Sequence, residues 1–474
     1  MNDLAIRTFD RPAATSVIST GRWFSVLWPA AILFHLAANS AQMMALRPVG
    51  LTQLVMAVVA LAVMARPSSA RAMVLSGLYL AILWAKLPAV GNHEVILGLM
   101  AAVVLLAAAS TARSDGLGSV AWVGAAKPAC RWILVISYGF IGFSKLNSGF
   151  FDTKHSCAAV FLDESSGLLG FSADRFDRFN MAVIIMIATI ELAIPVLLLT
   201  RRLRTRGAVL GLGFHFLLAL EPVSHVWDFS ATLLPLFLLF MPEPFTASLE
   251  LRLLAVAQRI RSAGARAPQL AVALLFAAQA AVLASPAPNW LLAYPLWLAL
   301  AGPILVAAFR SVFTSGPQDP RGVVEQNEVW RVGFLFVPVI AVAVAIGVGP
   351  YLEVRSSAAF NMYSNLQIVD GRSNHFLIGS PRPDTGPPGS NTASSVSVVT
   401  SAAEGSPLSY YVGSGLLVPN ENLSRHLKGN AADGAAGEGV RASVADYFGN
   451  KLAFRRAVDG TDVVRCQRAW GPLG

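Results

Sequence analysis

The stretch WILVISYGFIGFSKLNSGFFD, residues Trp132–Asp152, contains a long apolar run that is followed by a lysine. The part Trp132–Phe143 has the composition of the second half of a membrane span, and Lys145 follows it after one serine. A charged ammonium loses its hydration in lipid, so a lysine at this depth is costly. Asn147 and Asp152 lie just behind it. The position of Lys145 is therefore the first feature of the chain that needs a physical explanation.

The composition is that of a polytopic membrane protein. Of the 474 residues, 55% are hydrophobic and only 13% are charged, whereas soluble domains carry about 25% charged residues. The net charge of +9 comes from basic residues in short loops between apolar runs. This distribution sets orientation in a membrane and argues against a nucleic-acid partner.

Apolar runs of roughly 20 residues predict about eleven membrane-spanning helices. These runs begin near Trp23, Leu51, Met73, Val95, Trp132, Met181, Ala208, Trp227, Leu270, Leu291 and Val332. Basic residues concentrate in alternate loops, so the positive-inside rule places the N-terminal tail, residues 1–22, in the cytoplasm. The membrane domain then covers residues 23–349 of a plasma-membrane or endomembrane protein. An odd number of spans places the C-terminus outside.

The composition changes after residue 349, where no apolar run is long enough to span. Stretches such as SSVSVVTSA and LSYYVGSGLLV are rich in residues that favour strands. Residues 350–474 are predicted to form a small β-rich extracytoplasmic domain. The predicted fold class is thus an α-helical polytopic membrane protein that carries this C-terminal domain.

The three cysteines are too few for a disulfide scaffold and lack the spacing of a metal site. Cys130 precedes the fifth predicted span and faces the cytoplasm. Cys157 and Cys466 are both predicted to lie outside, in an oxidising compartment where disulfides persist. The hypothesis is a Cys157–Cys466 disulfide, and the alternative is two free buried thiols.

Few ionisable residues fall within the predicted spans, and most of these lie toward the outer face. Lys145 ends the fifth span, His93 begins the fourth, and His215 is in the outer half of the seventh. Glu191 lies near the middle of the sixth. Ordinary interpretations stay open, because a lysine near a span end commonly extends to the headgroups and Glu191 can pair with a buried base.

Other polar residues have less specific interpretations. His35, alone on an apolar run, is interpreted as a packing residue. Glu221, His225 and Asp228 flank a turn at the outer face and can be ordinary hydrated loop residues. No metal cluster is expected from these spacings.

The more specific hypothesis treats Lys145 as a base. Desolvation disfavours the ammonium, and a neutral amine can accept a proton. His93 would then stabilise the developing anion, while Glu191 would hold or relay the proton.

The segment GFSKLNSGFFD resembles the G-x-x-K-L segment of the vitamin K-dependent γ-glutamyl carboxylases and of their bacterial relatives, the horizontally transferred transmembrane (HTTM) domain proteins. GNHEVILGL resembles the family's Asn-His segment, and FHFLLALEPVSHVWDF its Phe-His segment. The resemblance implies that Lys145 and His93 are catalytic. It implies that Asn92, Glu191 and His215 contact the cofactor.

The resemblance also implies an activity. A reduced quinone of the vitamin K or menaquinol type would be oxidised by oxygen. This oxidation would be coupled to proton abstraction from a second substrate, a peptide or protein. In a carboxylation, carbon dioxide would then react with the resulting carbanion. No metal would be required. The partners would be membrane lipid, the quinone and that substrate, at the outer leaflet. The alternative is a non-enzymatic scaffold or transporter with a buried Lys–Glu ion pair.

Overall fold

The computed structural model describes most of the membrane domain and short parts of the C-terminal region. The described residues are 21–38, 48–86, 90–153, 156–168, 179–220, 226–262, 290–314, 331–352, 359–366, 368–369, 372–381, 396–401, 417–419, 441–445, 455–456 and 462–463.

Twelve α-helices lie in these described residues. A chain in lipid must satisfy its backbone hydrogen bonds internally, and for apolar runs of this kind the helix is the structure that does so within one segment. The helices are α1 (Arg22–Ala38), α2 (Pro48–Ala65), α3 (Ser69–Lys86), α4 (Asn92–Asp115), α5 (Trp122–Ser144), α6 (Cys157–Leu168), α7 (Asn180–Leu199), α8 (Arg204–Leu218), α9 (Val226–Leu238), α10 (Glu243–Ser262), α11 (Trp290–Thr314) and α12 (Val337–Val348).

Four helices in the described part are long and apolar enough to cross a membrane. They are α4, α7, Tyr294–Val312 within α11, and the run Phe334–Leu352 around α12. Four shorter apolar helices cover Arg22–Ala37, Leu51–Ala65, Ser69–Ala85 and Val226–Leu238. These helices are those of a helical membrane protein.

The structure does not support the predicted eleven spans. The runs near Trp132 and Ala208 correspond to α5 and α8. Lys127 and Arg131 lie in the first half of α5, and Arg204 and Arg206 begin α8, which shortens the apolar portion of both helices. The run near Leu270 lies outside the described residues.

Helix α9 lies at the centre of the bundle. All of its residues are buried, and it packs against α1, α4, α5, α8 and α11. Successive residues of a helix point about 100° apart. The consecutive residues Asp228, Phe229 and Ser230 therefore face three different sets of neighbours.

Helices α5 and α7 approach each other closely at Gly142. A Cβ atom at this position would lie 2.9 Å from the backbone oxygen of Glu191, so only glycine allows this distance between the two backbones. Lys145 follows Gly142 by almost one turn. The close crossing therefore brings Lys145 next to Glu191.

Beyond α12, the described residues between 359 and 378, here called the return segment, contact the end of α5. The backbone N–H of Ser148 donates to the carbonyl of Asn374 at 3.0 Å, and that of Phe376 donates to the carbonyl of Leu146 at 2.9 Å. The return segment thus extends the backbone hydrogen bonding of the Lys145 region.

Asn147 joins α5 to the return segment and is completely buried. Its amide nitrogen donates to the carbonyls of Ser144 at 2.7 Å and Ser364 at 2.6 Å. Its oxygen accepts from the backbone N–H of Phe150 at 2.9 Å and from the side chain of Asn374 at 3.2 Å. Both donors and both lone pairs of this side chain are therefore in use.

His375 forms a second connection. Its Nδ1 accepts the backbone N–H groups of Leu377 and Ile378, each at 3.1 Å. Its Nε2 must then carry the hydrogen, which it donates to the carbonyl of Phe143 at 3.0 Å. The arrangement holds the neutral ring, since a proton on Nδ1 would face two N–H groups.

Seven short strands lie in the described C-terminal residues. They are β1 (Ile368–Val369), β2 (Arg372–Ser373), β3 (Val396–Ser401), β4 (Leu417–Pro419), β5 (Arg441–Ala445), β6 (Arg455–Arg456) and β7 (Asp462–Val463). They form an antiparallel β1–β2 pair, a sheet in the order β4–β3–β5 and a β6–β7 pair. These separate ladders do not make up the predicted β-rich domain. Most of residues 350–474 lie outside the described ones.

Replacing Gly142 tests the close crossing of α5 and α7. Gly142→Ala should lower the free energy of unfolding by about 1–3 kcal/mol, because the new methyl group meets backbone that cannot rotate away. Gly139→Ala on the same helix is the control, since nothing lies within 4 Å of its added Cβ. Unfolding in detergent micelles measures both, and equal effects of the two variants would contradict the crossing.

The connection through His375 should weaken in acid. Burial lowers the pKa of His375 from its usual value, against the opposing effect of the hydrogen bond to Phe143. The unfolded segment therefore takes up a proton as the pH falls below about 6.5, while the folded segment does not until lower pH. Stability is then fully present above about pH 6.5 and decreases as the pH falls toward the folded value.

Limited proteolysis of the return segment at about pH 7.5 and 5.5 measures this decrease. His375→Gln is the matched control, because its amide can both accept and donate but does not titrate there. A wild-type protein whose cleavage rate changes with pH no more than that of the variant would refute the role of His375.

Candidate functional site

Lys145 lies at the C-terminal end of α5 and is 3% exposed. Its Nζ is 2.6 Å from Oε2 of Glu191 on α7 and donates to the carbonyl of Met362 at 3.1 Å. The amine also lies 5.4 Å from the centre of the Phe150 ring. A carboxylate, a carbonyl and an aromatic face all stabilise a cation, so the contacts hold Lys145 as an ammonium paired with Glu191.

The Lys145–Glu191 pair lines a small apolar cavity. Its free space is about 30 Å³, which is enough for one or two water molecules. Aromatic rings form much of the wall. The lining residues from α5, α6 and α7 are Ile141, Lys145, Cys157, Ala158, Phe161, Ile187 and Glu191, and those from elsewhere are Phe150, Phe214, Leu218, Phe229, Met362 and Tyr363.

His215 on α8 lies beside this cavity but does not line it. Its Nε2 forms a short hydrogen bond with the hydroxyl of Tyr138, and its Nδ1 lies 3.2 Å from Oγ of Ser230. Both ring nitrogens are therefore used by neighbouring helices. His215 lines a second small cavity with Ser230 and Trp297, so its contacts are those of a structural hydrogen-bonding residue.

A second polar group lies on another side of α9. It consists of His35 from α1, His93 from the first turn of α4, and Asp228 from the first turn of α9. Nε2 of His93 lies 3.0 Å from Oδ2 of Asp228, and Nδ1 of His35 lies 3.5 Å from the same oxygen. We call these three residues the His–Asp cluster.

Glu94 supports the His–Asp cluster. Its Oε1 lies 3.3 Å from Nε2 of His35, and its Oε2 accepts a short hydrogen bond from the backbone N–H of Gly91. Glu94 is 3% exposed. The capping of α4 therefore also fixes the carboxylate that holds the His35 ring.

The structure brings some of the predicted site residues together and separates others. Lys145 and Glu191 form a direct pair, as the ordinary interpretation of Glu191 allowed. His93 contacts Asp228 and is not among the residues that line the Lys145 cavity. Asn92, half-buried at the start of α4, stands beside His93. The predicted site is thus divided between two sides of α9.

Two interpretations from the sequence are corrected. His35 is not an isolated packing residue, because both of its ring nitrogens face carboxylates. Asp228 is not a hydrated loop residue, because it is 4% exposed within α9. A charged residue beside an apolar run was the available signal for Asp228, but no spacing in the sequence links it to His35. Glu221 and His225 lie outside the described residues.

Cys157 begins α6, is buried and lines the Lys145 cavity. Cys466 lies outside the described residues, so the Cys157–Cys466 disulfide stays a prediction, which peptide mapping under non-reducing conditions can decide. Cys130 is a buried free thiol.

No family model, no curated protein and no solved structure matches the chain. The resemblance to the carboxylases therefore depends on short motifs alone, those around Lys145 and His93 and the Phe-His segment around His215.

The energy of the Lys145–Glu191 pair can be tested by removing one charge and then both. Lys145→Met should lower the free energy of unfolding by about 3–5 kcal/mol, because Glu191 is left buried without its counter-ion. The double variant Lys145→Met/Glu191→Leu should recover most of this loss, since two apolar side chains replace the pair. Detergent unfolding measures each variant. A double variant that is no more stable than the single variant would show that the unpaired charge of Glu191 is not the cause of the lost stability.

Proposed function

We propose that the chain is an integral-membrane enzyme that binds a reduced quinone in the Lys145 cavity and uses Lys145 as the proton acceptor. The observation that carries the proposal is a buried lysine–carboxylate pair at the wall of an aromatic cavity. The resemblance to quinone-dependent carboxylases gives independent support.

The lining residues have the chemical character that suits a flat apolar ring, but the cavity is smaller than such a ring. Aromatic and aliphatic walls with one polar group at the end are typical of small-molecule sites. The free space of about 30 Å³ is too small for a quinone ring. Entry therefore requires side chains such as Phe161, Phe214 and Phe229 to rotate, and each of them projects into the cavity from a different element.

A proton can move within the Lys145–Glu191 pair without changing the total charge of the pair. Moving a proton from Nζ of Lys145 to Oε2 of Glu191 over 2.6 Å turns two ions into two neutral groups. The transfer removes the desolvation cost of both charges, against the stabilisation that Met362 and Phe150 give the ammonium. The neutral amine of Lys145 can then take a proton from a hydroxyl group in the cavity.

A reduced quinone would supply that acidic hydroxyl group and two reducing electrons. Met362 and Phe150 would keep the Lys145 amine directed at the cavity during the transfer, because both already contact it. Glu191 would hold the proton that Lys145 gives up. Once Lys145 has taken the hydroxyl proton the pair carries one extra proton, and Glu191 would release its proton to water to restore the ion pair.

The proposal includes further elements that follow from the sequence. These are oxygen and carbon dioxide as co-substrates, a peptide or protein as second substrate, and a site at the outer leaflet below an extracytoplasmic domain. The Cys157–Cys466 disulfide would connect that domain to the wall of the Lys145 cavity.

The second candidate is a non-enzymatic scaffold or transporter, and the direct contact between Lys145 and Glu191 favours it. In this case the pair would compensate charge between α5 and α7 and would bind no quinone. Both candidate functions predict that the Lys145–Glu191 pair stabilises the protein, but only the enzyme predicts quinol oxidation.

Quinol oxidation by the purified protein under oxygen decides between them. Lys145→Arg should reduce the rate by about 10²–10⁴-fold, because a guanidinium stays protonated and cannot act as a base. Lys145→Met should do the same. Lys127→Met, which removes a lysine near the other end of α5, is the control and should keep the wild-type rate.

Two results would reject the enzyme. One is a wild-type rate in Lys145→Arg. The other is a wild-type protein that oxidises neither phylloquinol nor menaquinol, although its Lys145–Glu191 pair contributes to stability as expected; this result would favour the scaffold or transporter.

A further inference from the structure

The His–Asp cluster has the geometry of a metal site. One nitrogen from each histidine and one oxygen of Asp228 all lie within 4.8 Å of one another. They come from three helices, α1, α4 and α9, so the fold and not a local sequence motif brings them together. The cluster is separate from the Lys145 cavity and does not depend on the function proposed for it.

The distances within the cluster match those between the ligands of one ion. Bonds of 2.0–2.1 Å in a tetrahedral site place neighbouring ligand atoms about 3.3 Å apart. Oδ2 of Asp228 lies 3.0 Å from Nε2 of His93 and 3.5 Å from Nδ1 of His35, which are values on either side of this distance. The nitrogens of the two histidines lie within 4.8 Å of each other.

Hydrogen bonding leaves part of the cluster unexplained. Nε2 of His93 is buried and has no hydrogen-bond partner among the described residues, although it is 3.0 Å from a carboxylate oxygen. The two atoms are close without an aligned N–H between them. The two atoms can approach as imidazolium and carboxylate, or as two ligands whose lone pairs are accepted by one ion. The second arrangement needs no hydrogen between them.

Glu94 provides the outer support that histidine ligands require. When Nδ1 of His35 faces the cluster, its Nε2–H points at Oε1 of Glu94 at 3.3 Å. A carboxylate that accepts the second N–H of a ligating histidine fixes the tautomer and the orientation of the ring. Glu94 is in turn held by the backbone N–H of Gly91.

The charges also balance. A divalent ion with two neutral histidines, Asp228 and Glu94 has a total charge of zero, which suits a site enclosed by apolar helices. Two imidazoles and a carboxylate favour zinc or ferrous iron over magnesium or calcium, which prefer all-oxygen sites.

We infer that His35, His93 and Asp228 bind one first-row divalent transition-metal ion, of the zinc or ferrous-iron class, and that Glu94 positions His35 for this role. Three protein ligands leave at least one coordination position for water or a substrate atom. The cluster would thus be a metal centre that accepts an additional ligand.

The test uses the full-length protein in detergent, purified without a polyhistidine tag. Loading with Zn²⁺ or with Fe²⁺ under argon, followed by dialysis and elemental analysis, should give about one equivalent per chain. Loading with Co²⁺ should give the strong visible absorption of a low-symmetry site with nitrogen ligands. Wild-type protein that retains less than about a tenth of an equivalent of all three metals would overturn the inference.

Variants distinguish this site from adventitious binding. Asp228→Asn and His93→Gln should each lose the bound metal, and Glu94→Gln should keep the stoichiometry but bind about 10–100-fold more weakly. His215→Gln is the matched control, because it removes a buried histidine of the same bundle outside the cluster. Circular dichroism and gel filtration establish which variants are folded.

The variants can also refute the assignment. Full stoichiometry and unchanged affinity in folded Asp228→Asn would exclude this site, and metal loss in folded His215→Gln would place the binding elsewhere. Unchanged affinity in Glu94→Gln would remove the positioning role of Glu94.

Discussion

A charge that is buried among apolar helices must find its counter-charge inside the protein. This constraint governs the interior of the bundle. Lys145 has Glu191, and the two histidines of the His–Asp cluster have Asp228 and Glu94. Each group joins helices that are distant in the sequence. The helices can pack in this arrangement only if these partners meet, so the polar contacts specify which of many similar apolar packings is formed.

Small and fully bonded residues make the first of these meetings possible. Gly142 lets the backbones of α5 and α7 come close enough for a 2.6 Å contact one turn later. Asn147 then ends the helix region with every polar atom in use, and the return segment supplies the carbonyl of Met362 to the Lys145 amine. Within the six residues that begin with Gly142, the chain therefore brings two helices close together, places the buried charge of Lys145 and ends the helix through the hydrogen bonds of Asn147.

The sequence indicated the helical membrane class, and it selected Lys145 and Glu191 as functional candidates, because intramembrane charges are few and conspicuous. It could not show that His93 contacts Asp228 and not Lys145, since hydropathy places a residue at a depth in the membrane but not on a side of its helix. The contacts of His35 were likewise not predictable from the sequence. One histidine in an apolar run has no periodic signal, and its carboxylate partners lie on other helices. The number of spans was overestimated because apolar runs with basic ends resemble complete spans.

Three consecutive residues of α9 connect the parts of the interior. Asp228 belongs to the His–Asp cluster, Phe229 to the wall of the Lys145 cavity, and Ser230 to the hydrogen bond of His215. A helix turns as a rigid body, so these three side chains share one angular setting. A rotation of α9 about its axis would therefore move Asp228 and Phe229 together. The geometry of the His–Asp cluster and that of the cavity wall therefore share one helix orientation.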